Sequence, residues 1–170
     1  HHFIICKMGI PRCLLLSNSR LGTKYLDFAE PIINQFLTEE IKQILFIPFA
    51  AVTFSWDKYV EKVQNGLPKY KIIGIHQTKN YVEAVKSAQA ILIGGGNTFQ
   101  LLKQLQDHKL IEPIRDRVIN HGIPYIGWSA GSNVATPDIG STNDMPITWP
   151  KTDEALNFVP FNLIVIKSID

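Results

Sequence analysis

Five short, mostly apolar runs constrain this chain more than any other feature. They are Cys13–Leu16, Ile44–Ile47, Lys71–Ile75, Ala90–Ile93 and Pro124–Ile126. None alternates polar with apolar residues. A strand of that kind is covered on both faces, as in a parallel sheet sandwiched between helices. The segments between the runs have helical spacing. Leu26, Ala29, Ile33, Phe36 and Leu37 mark one helix, and Ser55–Gln64 reads as another, stopped by Asn65-Gly66. Tyr81–Ala88 is a short helix; Phe99, Leu102 and Leu105, flanked by Leu101, form an apolar face, and Ile111–Asn120 carries Ile114 and Val118 on one side. Strands spaced by helices require crossover connections and give a parallel sheet. The expected fold class is therefore α/β, a layered parallel sheet flanked by helices.

At 170 residues the chain suits a single domain with a real core. Residues 12–170 are expected to form it, with 1–11 as an N-terminal extension. Residues 1–8 are set aside from fold reasoning, with His1-His2 as tag or upstream residues and Met8 as the expected start. Thr136–Lys151, with three prolines and one glycine, reads as a long irregular loop. Asn162–Ile166 is one further apolar run, expected as a terminal strand without a following helix.

The 17 Lys and Arg nearly balance the 15 Asp and Glu, and no basic block stands out. This argues against nucleic acid or a membrane surface as partner. No apolar run approaches the roughly 18 residues that span a bilayer. Cys6 and Cys13 are expected as reduced thiols, in keeping with a reducing, cytoplasmic setting. Oligomeric state is not legible.

Ligands of open α/β sheets bind outside the carboxyl ends of the strands. That singles out the turns after Leu16, Ile93 and Ile126. After Ile126 comes Gly127-Trp128-Ser129-Ala130-Gly131, the G-x-S-x-G pattern that sets a serine hydroxyl on a sharp strand-to-helix turn. The N–H of Ala130, just past the serine, would then face a substrate oxyanion. After Ile93 comes Gly94-Gly95-Gly96-Asn97-Thr98. Three readings stand here: a second oxyanion donor at Gly96, a phosphate cradle, or a plain turn. The Lys-Ser/Thr of a P-loop is absent, and Phe99 occupies the last position of a dinucleotide fingerprint. Asp144 lies in a polar loop, either solvated, capping a turn, or as the acid that orients a catalytic histidine. All five histidines (His1, His2, His76, His108 and His121) precede Ser129. His76, His108 and His121 are weak candidates for a base, and they lack metal-ligand spacing.

Five segments, in order, carry a resemblance: Cys13–Ser19, Phe46–Ala50, Gly94–Leu102, Gly127–Gly131 and Thr142-Asn143-Asp144-Met145-Pro146. Together the chain resembles peptidase E, the α-aspartyl dipeptidase family, over roughly Arg12 to Asn162. The resemblance implies a fold similar to class I glutamine amidotransferases, flavodoxin-like in topology. It also implies a cytoplasmic hydrolase of dipeptides with an N-terminal aspartate, using no metal or cofactor. In that reading Ser129 is the nucleophile, Asp144 the triad acid, and Gly96 and Ala130 the oxyanion donors. The family's histidine follows a Val-Pro stretch. Here Val159-Pro160-Phe161-Asn162-Leu163 continues to Asp170 without one, and the domain is expected to lack the family's C-terminal part. The alternative function is a catalytically inactive, truncated homologue acting as a binding module. An α/β-hydrolase esterase, which shares G-x-S-x-G, ranks third.

Overall fold

The structure is a computed structural model and describes residues 3–6, 11–20 and 24–165. The expected start at Met8 and the end of the last apolar run at Ile166 lie outside these residues.

Five strands form the expected parallel sheet: β2 (Cys13–Leu16), β3 (Gln43–Ile47), β4 (Lys71–Gly74), β5 (Ile91–Ile93) and β6 (Tyr125–Trp128). A sixth strand, β1 (Phe3–Cys6), adds to β2 in antiparallel register, with Cys6 opposite Cys13. It comes from the segment that the sequence reading set aside. The order is β1-β2-β6-β5-β3-β4. The chain therefore builds β3 and β4 on one side, returns for β5, and closes the gap to β2 with β6.

Side-chain alternation explains the unbroken apolar runs. Cys13, Leu15, Leu45, Ile47, Ile91, Ile93 and Tyr125 point to one face of the sheet. Leu14, Leu16, Ile44, Phe46, Leu92, Ile126 and Trp128 point to the other. Helices α1 (Ala29–Phe36) and α2 (Trp56–Gly66) cover the second face through Ala29, Ile33, Phe36, Tyr59, Val60 and Val63. Helices α3 (Tyr81–Ser87), α4 (Thr98–Asp107) and α5 (Ile111–Arg115) cover the first face, joined by α6 (Ala130–Asn133). Burial of roughly 25 cal/mol per Å² of apolar surface on two faces is what holds such short strands in place.

Two expectations are corrected. The helix expected over 111–120 is α-helical only to Arg115, and Asp116–Asn120 widens to a π-helical turn. The apolar run after Pro160 forms no strand over 162–165. Side chains serve it instead of a ladder: Ser141 Oγ donates to the Leu163 carbonyl at 2.7 Å, and Asn162 Nδ2 donates to Asp138 Oδ1 at 3.1 Å. Leu163 packs on the core, so the run is apolar for burial without being a strand.

Candidate active site

The three turns singled out from sequence meet at one sheet edge. β6 is hydrogen-bonded to β2 on one side and β5 on the other, so the residues after Leu16, Ile93 and Trp128 are neighbours. The register that pairs Ile93 with Gly127 brings the glycine loop beside Ser129. A Cβ built on Gly95 would lie 2.9 Å from the Ser129 Cβ.

Ser129 has φ 51° and ψ −114°, a conformation L-residues rarely adopt. Such strain costs about 1–3 kcal/mol and persists only where the surroundings fix it. They do so here through one acceptor. The Leu16 carbonyl takes the Ser129 N–H at 3.1 Å and the Ser132 hydroxyl at 2.7 Å. The Ser129 carbonyl is in turn held by the N–H groups of Ser132 and Asn133. The positive φ falls on the serine itself. Gly131 serves another need: a Cβ there would stand 2.0 Å from the Ile93 carbonyl oxygen, so only glycine lets α6 sit against β5. Ala130 is the first residue of α6, where an N–H has no intrahelical acceptor.

Gly96 has φ +146°, and a Cβ there would meet the Ala50 carbonyl oxygen at 2.0 Å. That carbonyl is already used, accepting the Asn97 N–H at 2.8 Å. Among the described residues, no backbone carbonyl takes the N–H of Gly96 or of Ala130. Ala130 directly follows the serine, and Gly96 follows Gly95, the residue that lies against the Ser129 side chain.

Asp144 is anchored at the start of α4. Its Oδ2 accepts the Thr98 N–H at 2.9 Å and the Thr98 hydroxyl at 2.6 Å. A carboxylate at a helix N-terminus is favoured by the unpaired amides and the macrodipole. Asn97 Oδ1 caps the same helix through the Gln100 N–H, and Asn97 Nδ2 donates to the Met145 carbonyl, which ties the loop down. Behind Thr98 lies a directed chain of donors. Asn133 Nδ2 donates to Thr98 Oγ1 at 3.2 Å and to Thr142 Oγ1 at 3.3 Å. The Thr142 hydroxyl donates to Thr98 Oγ1 at 3.1 Å, and Thr98 to Asp144. Since Asn133 also binds the Ser129 carbonyl through its backbone N–H, three residues, Asn133, Thr142 and Thr98, connect the elbow to the carboxylate.

The histidines are placed elsewhere. His76 follows β4, three strand positions from β6, roughly 14 Å across the sheet at a spacing of about 4.8 Å. Its Nε2 is paired with Asp57 Oδ1 at 2.9 Å. Hydrogen bonds from His76 and then Gln77 hold the Asp57 carboxyl below the usual carboxylate range. His108 lies against Phe49 and Tyr81, and His121 pairs with Asp116. Among the described residues, none of the three is hydrogen-bonded to the Ser129 hydroxyl.

Two residues escaped the sequence reading. Thr98 is fully buried, and its place directly after the capping Asn97 was the available signal. Tyr59 gave none: its helical spacing is that of a core residue. Yet its hydroxyl donates to the Gly95 carbonyl at 2.9 Å and accepts from Trp128 Nε1 at 3.2 Å. Burial raises its pKa above the ordinary phenol value, so the proton that makes the first bond is retained.

A family model described as peptidase family S51 matches residues 13–164. Peptidase E of Nostoc sp. is 48% identical over 155 residues, covering 89% of this chain and 64% of the relative. Peptidase E of Shewanella sp. (strain MR-4) is 51% identical over 153 residues, covering 88% and 64% respectively. Peptidase E of Haemophilus influenzae is 46% identical over 154 residues, covering 88% of this chain and 70% of the relative. The chain thus spans 64% of the length of the Nostoc and Shewanella relatives. Among solved structures, a peptidase E protein from Listeria monocytogenes EGD-e aligns over 91% of this chain and 78% of its own, with a TM-score of 0.68 at 24% identity. A peptidase from an acI-B1 Actinobacterium aligns over 88% and 65%, with a TM-score of 0.60 at 21% identity. Both share the fold.

Proposed function

The chain belongs to peptidase family S51, and from that premise we propose that it is built for serine-type hydrolysis of dipeptides with an N-terminal aspartate, in the cytoplasm. The observation that carries this reading is the strained Ser129 on the β6–α6 turn, followed directly by Ala130 and set against Gly95 of the glycine loop. Ser129 Oγ attacks the carbonyl carbon of the aspartyl residue. The carbonyl electrons move onto oxygen, where the N–H groups of Gly96 and Ala130 receive the charge. In the attack the Ser129 hydroxyl gives its proton to a general base; collapse of the adduct breaks the C–N bond, and the leaving amine takes that same proton. Water then releases the aspartyl acyl group from Ser129. Asp144, clamped by Thr98, is the acid that would orient a histidine base and balance its positive charge, a place that His76, His108 and His121 do not fill.

A specific observation supports the second reading, a chain that binds the peptide without cleaving it. The stretch Val159-Pro160-Phe161-Asn162-Leu163-Ile164-Val165-Ile166, where the resemblance calls for the histidine, holds none, and a serine without a base is a poor nucleophile at neutral pH. One experiment separates the two. The purified chain and its Ser129→Ala variant are each incubated with Asp-Leu, and binding and free leucine are both measured. Serine-dependent release of leucine supports the dipeptidase. Binding without release supports the silent homologue. Neither binding nor release overturns the substrate class.

A further inference from the structure

We propose that Tyr59 is a positioning residue for the oxyanion site, its hydroxyl fixing the orientation of the Gly95–Gly96 peptide. The inference rests on the reading of Gly96 as an oxyanion donor. Tyr59 sits on α2, a helix that carries none of the residues assigned above.

The argument begins with one peptide plane. In a trans peptide the C=O and the next residue's N–H are coplanar and point in opposite directions. The Gly95 carbonyl and the Gly96 N–H belong to the same plane. A plane set between two glycines has the least intrinsic resistance to rotation, because neither flank carries a Cβ. Something outside the loop must therefore set it. The Tyr59 hydroxyl does so, holding the carbonyl at 2.9 Å and turning the Gly96 N–H away from α2. A hydrogen bond to the carbonyl also polarises the amide, which makes its N–H a better donor.

The same oxygen reaches the second loop. A phenol carries a single proton, and an indole N–H only donates. With that proton on the Gly95 carbonyl, the Tyr59 oxygen accepts from Trp128, the residue before Ser129. One buried atom thus ties the glycine loop to the nucleophile turn. The ring itself is held edge-on by Phe46 at 4.9 Å and Phe54 at 5.0 Å between centroids, so packing sets where the hydroxyl lies. Gly94 leaves room for it: a Cβ there would stand 2.4 Å from the Tyr59 oxygen.

The test uses two probes on the intact chain. The boronic acid analogue of aspartate has boron in place of the attacked carbonyl carbon. Ser129 Oγ donates an electron pair to boron, the serine proton leaves to solvent, and a tetrahedral anion with a hydroxyl at the oxyanion position results. L-Aspartate is the probe that forms no such anion. Tyr59→Phe keeps the ring and removes the hydroxyl. Its affinity for the boronate is expected to fall about tenfold, less than the loss of a whole oxyanion donor. Its affinity for aspartate is expected to stay within about twofold, since that complex places no charge on the donors. The Gly96 amide resonance of the free protein shifts with it. Gly94→Ala keeps the tyrosine but crowds its oxygen, and gives the same split. Unchanged boronate affinity with an unmoved Gly96 resonance overturns the inference and leaves Ser129 as read. Equal loss for both probes marks a merely structural tyrosine and also overturns it. A boronate that binds wild type no better than Ser129→Ala overturns the reading of Ser129, and the Tyr59 inference falls with it.

Discussion

Thr98 gives Asp144 two hydrogen bonds on the same carboxylate oxygen, one from its backbone N–H at 2.9 Å and one from its hydroxyl at 2.6 Å. The first comes from the backbone of helix α4 and would survive any residue but proline at position 98. The second exists because the residue is a threonine.

Thr98→Val removes the hydroxyl at nearly constant volume. It leaves Asn133 Nδ2 and the Thr142 hydroxyl each short of an acceptor in a buried setting. A loss of about 1–3 kcal/mol is expected in urea unfolding. Thr98→Ser keeps the oxygen and is expected to lose less than half as much. Equal losses for the two variants would remove the hydroxyl from the account of Asp144.

Ser129→Gly is expected to stabilise the chain while removing the hydroxyl. Glycine reaches φ 51° and ψ −114° without the strain of an L-residue, and its greater freedom when unfolded offsets only part of the gain. A net gain of about 1 kcal/mol corresponds to a Tm rise of about 2–4 °C for a chain of this size. The check is a thermal melt beside Ser129→Ala, which keeps the strain.

Gly96→Ala is expected to be severe. The methyl would stand 2.0 Å from the Ala50 carbonyl oxygen on a backbone at φ +146°, and that carbonyl also anchors Asn97. A loss of about 3 kcal/mol follows from strain of this type. Urea unfolding measures it, and a loss below about 1 kcal/mol would mean that the loop relaxes freely.

Alkaline pH is expected to unfold the chain cooperatively. Burial raises the phenol pKa values of Tyr25, Tyr59 and Tyr125 in the folded state. The folded chain then binds more protons than the unfolded one above the unfolded phenol value of about 10. The stabilisation is fully present below that value and is lost as pH rises from it through the folded values. Tyrosinate absorbance at 295 nm should therefore rise in step with loss of circular dichroism. A full five-tyrosine titration in a chain that remains folded would contradict the burial.

The layout of the sheet was legible because burial on both faces writes itself into a strand as an unbroken apolar run. Ser129 and the glycine loop were legible because their turns follow such runs. The network around them was not. Tyr59 and Thr98 act through contacts 36 and 46 residues away in sequence, and no local pattern marks a hydroxyl that is buried for its partner rather than its bulk. The run at 162–165 misled for the opposite reason: apolar content reports burial, and burial there comes without a ladder. Phe3–Cys6 carried a strand signal of its own and was passed over with the terminal residues.

The strand order also dictates when the Ser129 turn can exist. Among the described strands, β2 has no parallel neighbour but β6, which pairs Leu16 with Trp128 across 112 positions of chain. Until β6 is inserted, the sheet is in two pieces, and the Leu16 carbonyl that holds Ser129 faces a gap. Long-range closures of this kind are slow and come late, because the loop entropy is spent before any contact repays it. On a ribosome the first five strands can emerge and collapse while the serine is still unmade. The strained elbow therefore forms only in a molecule whose central strand is already in place.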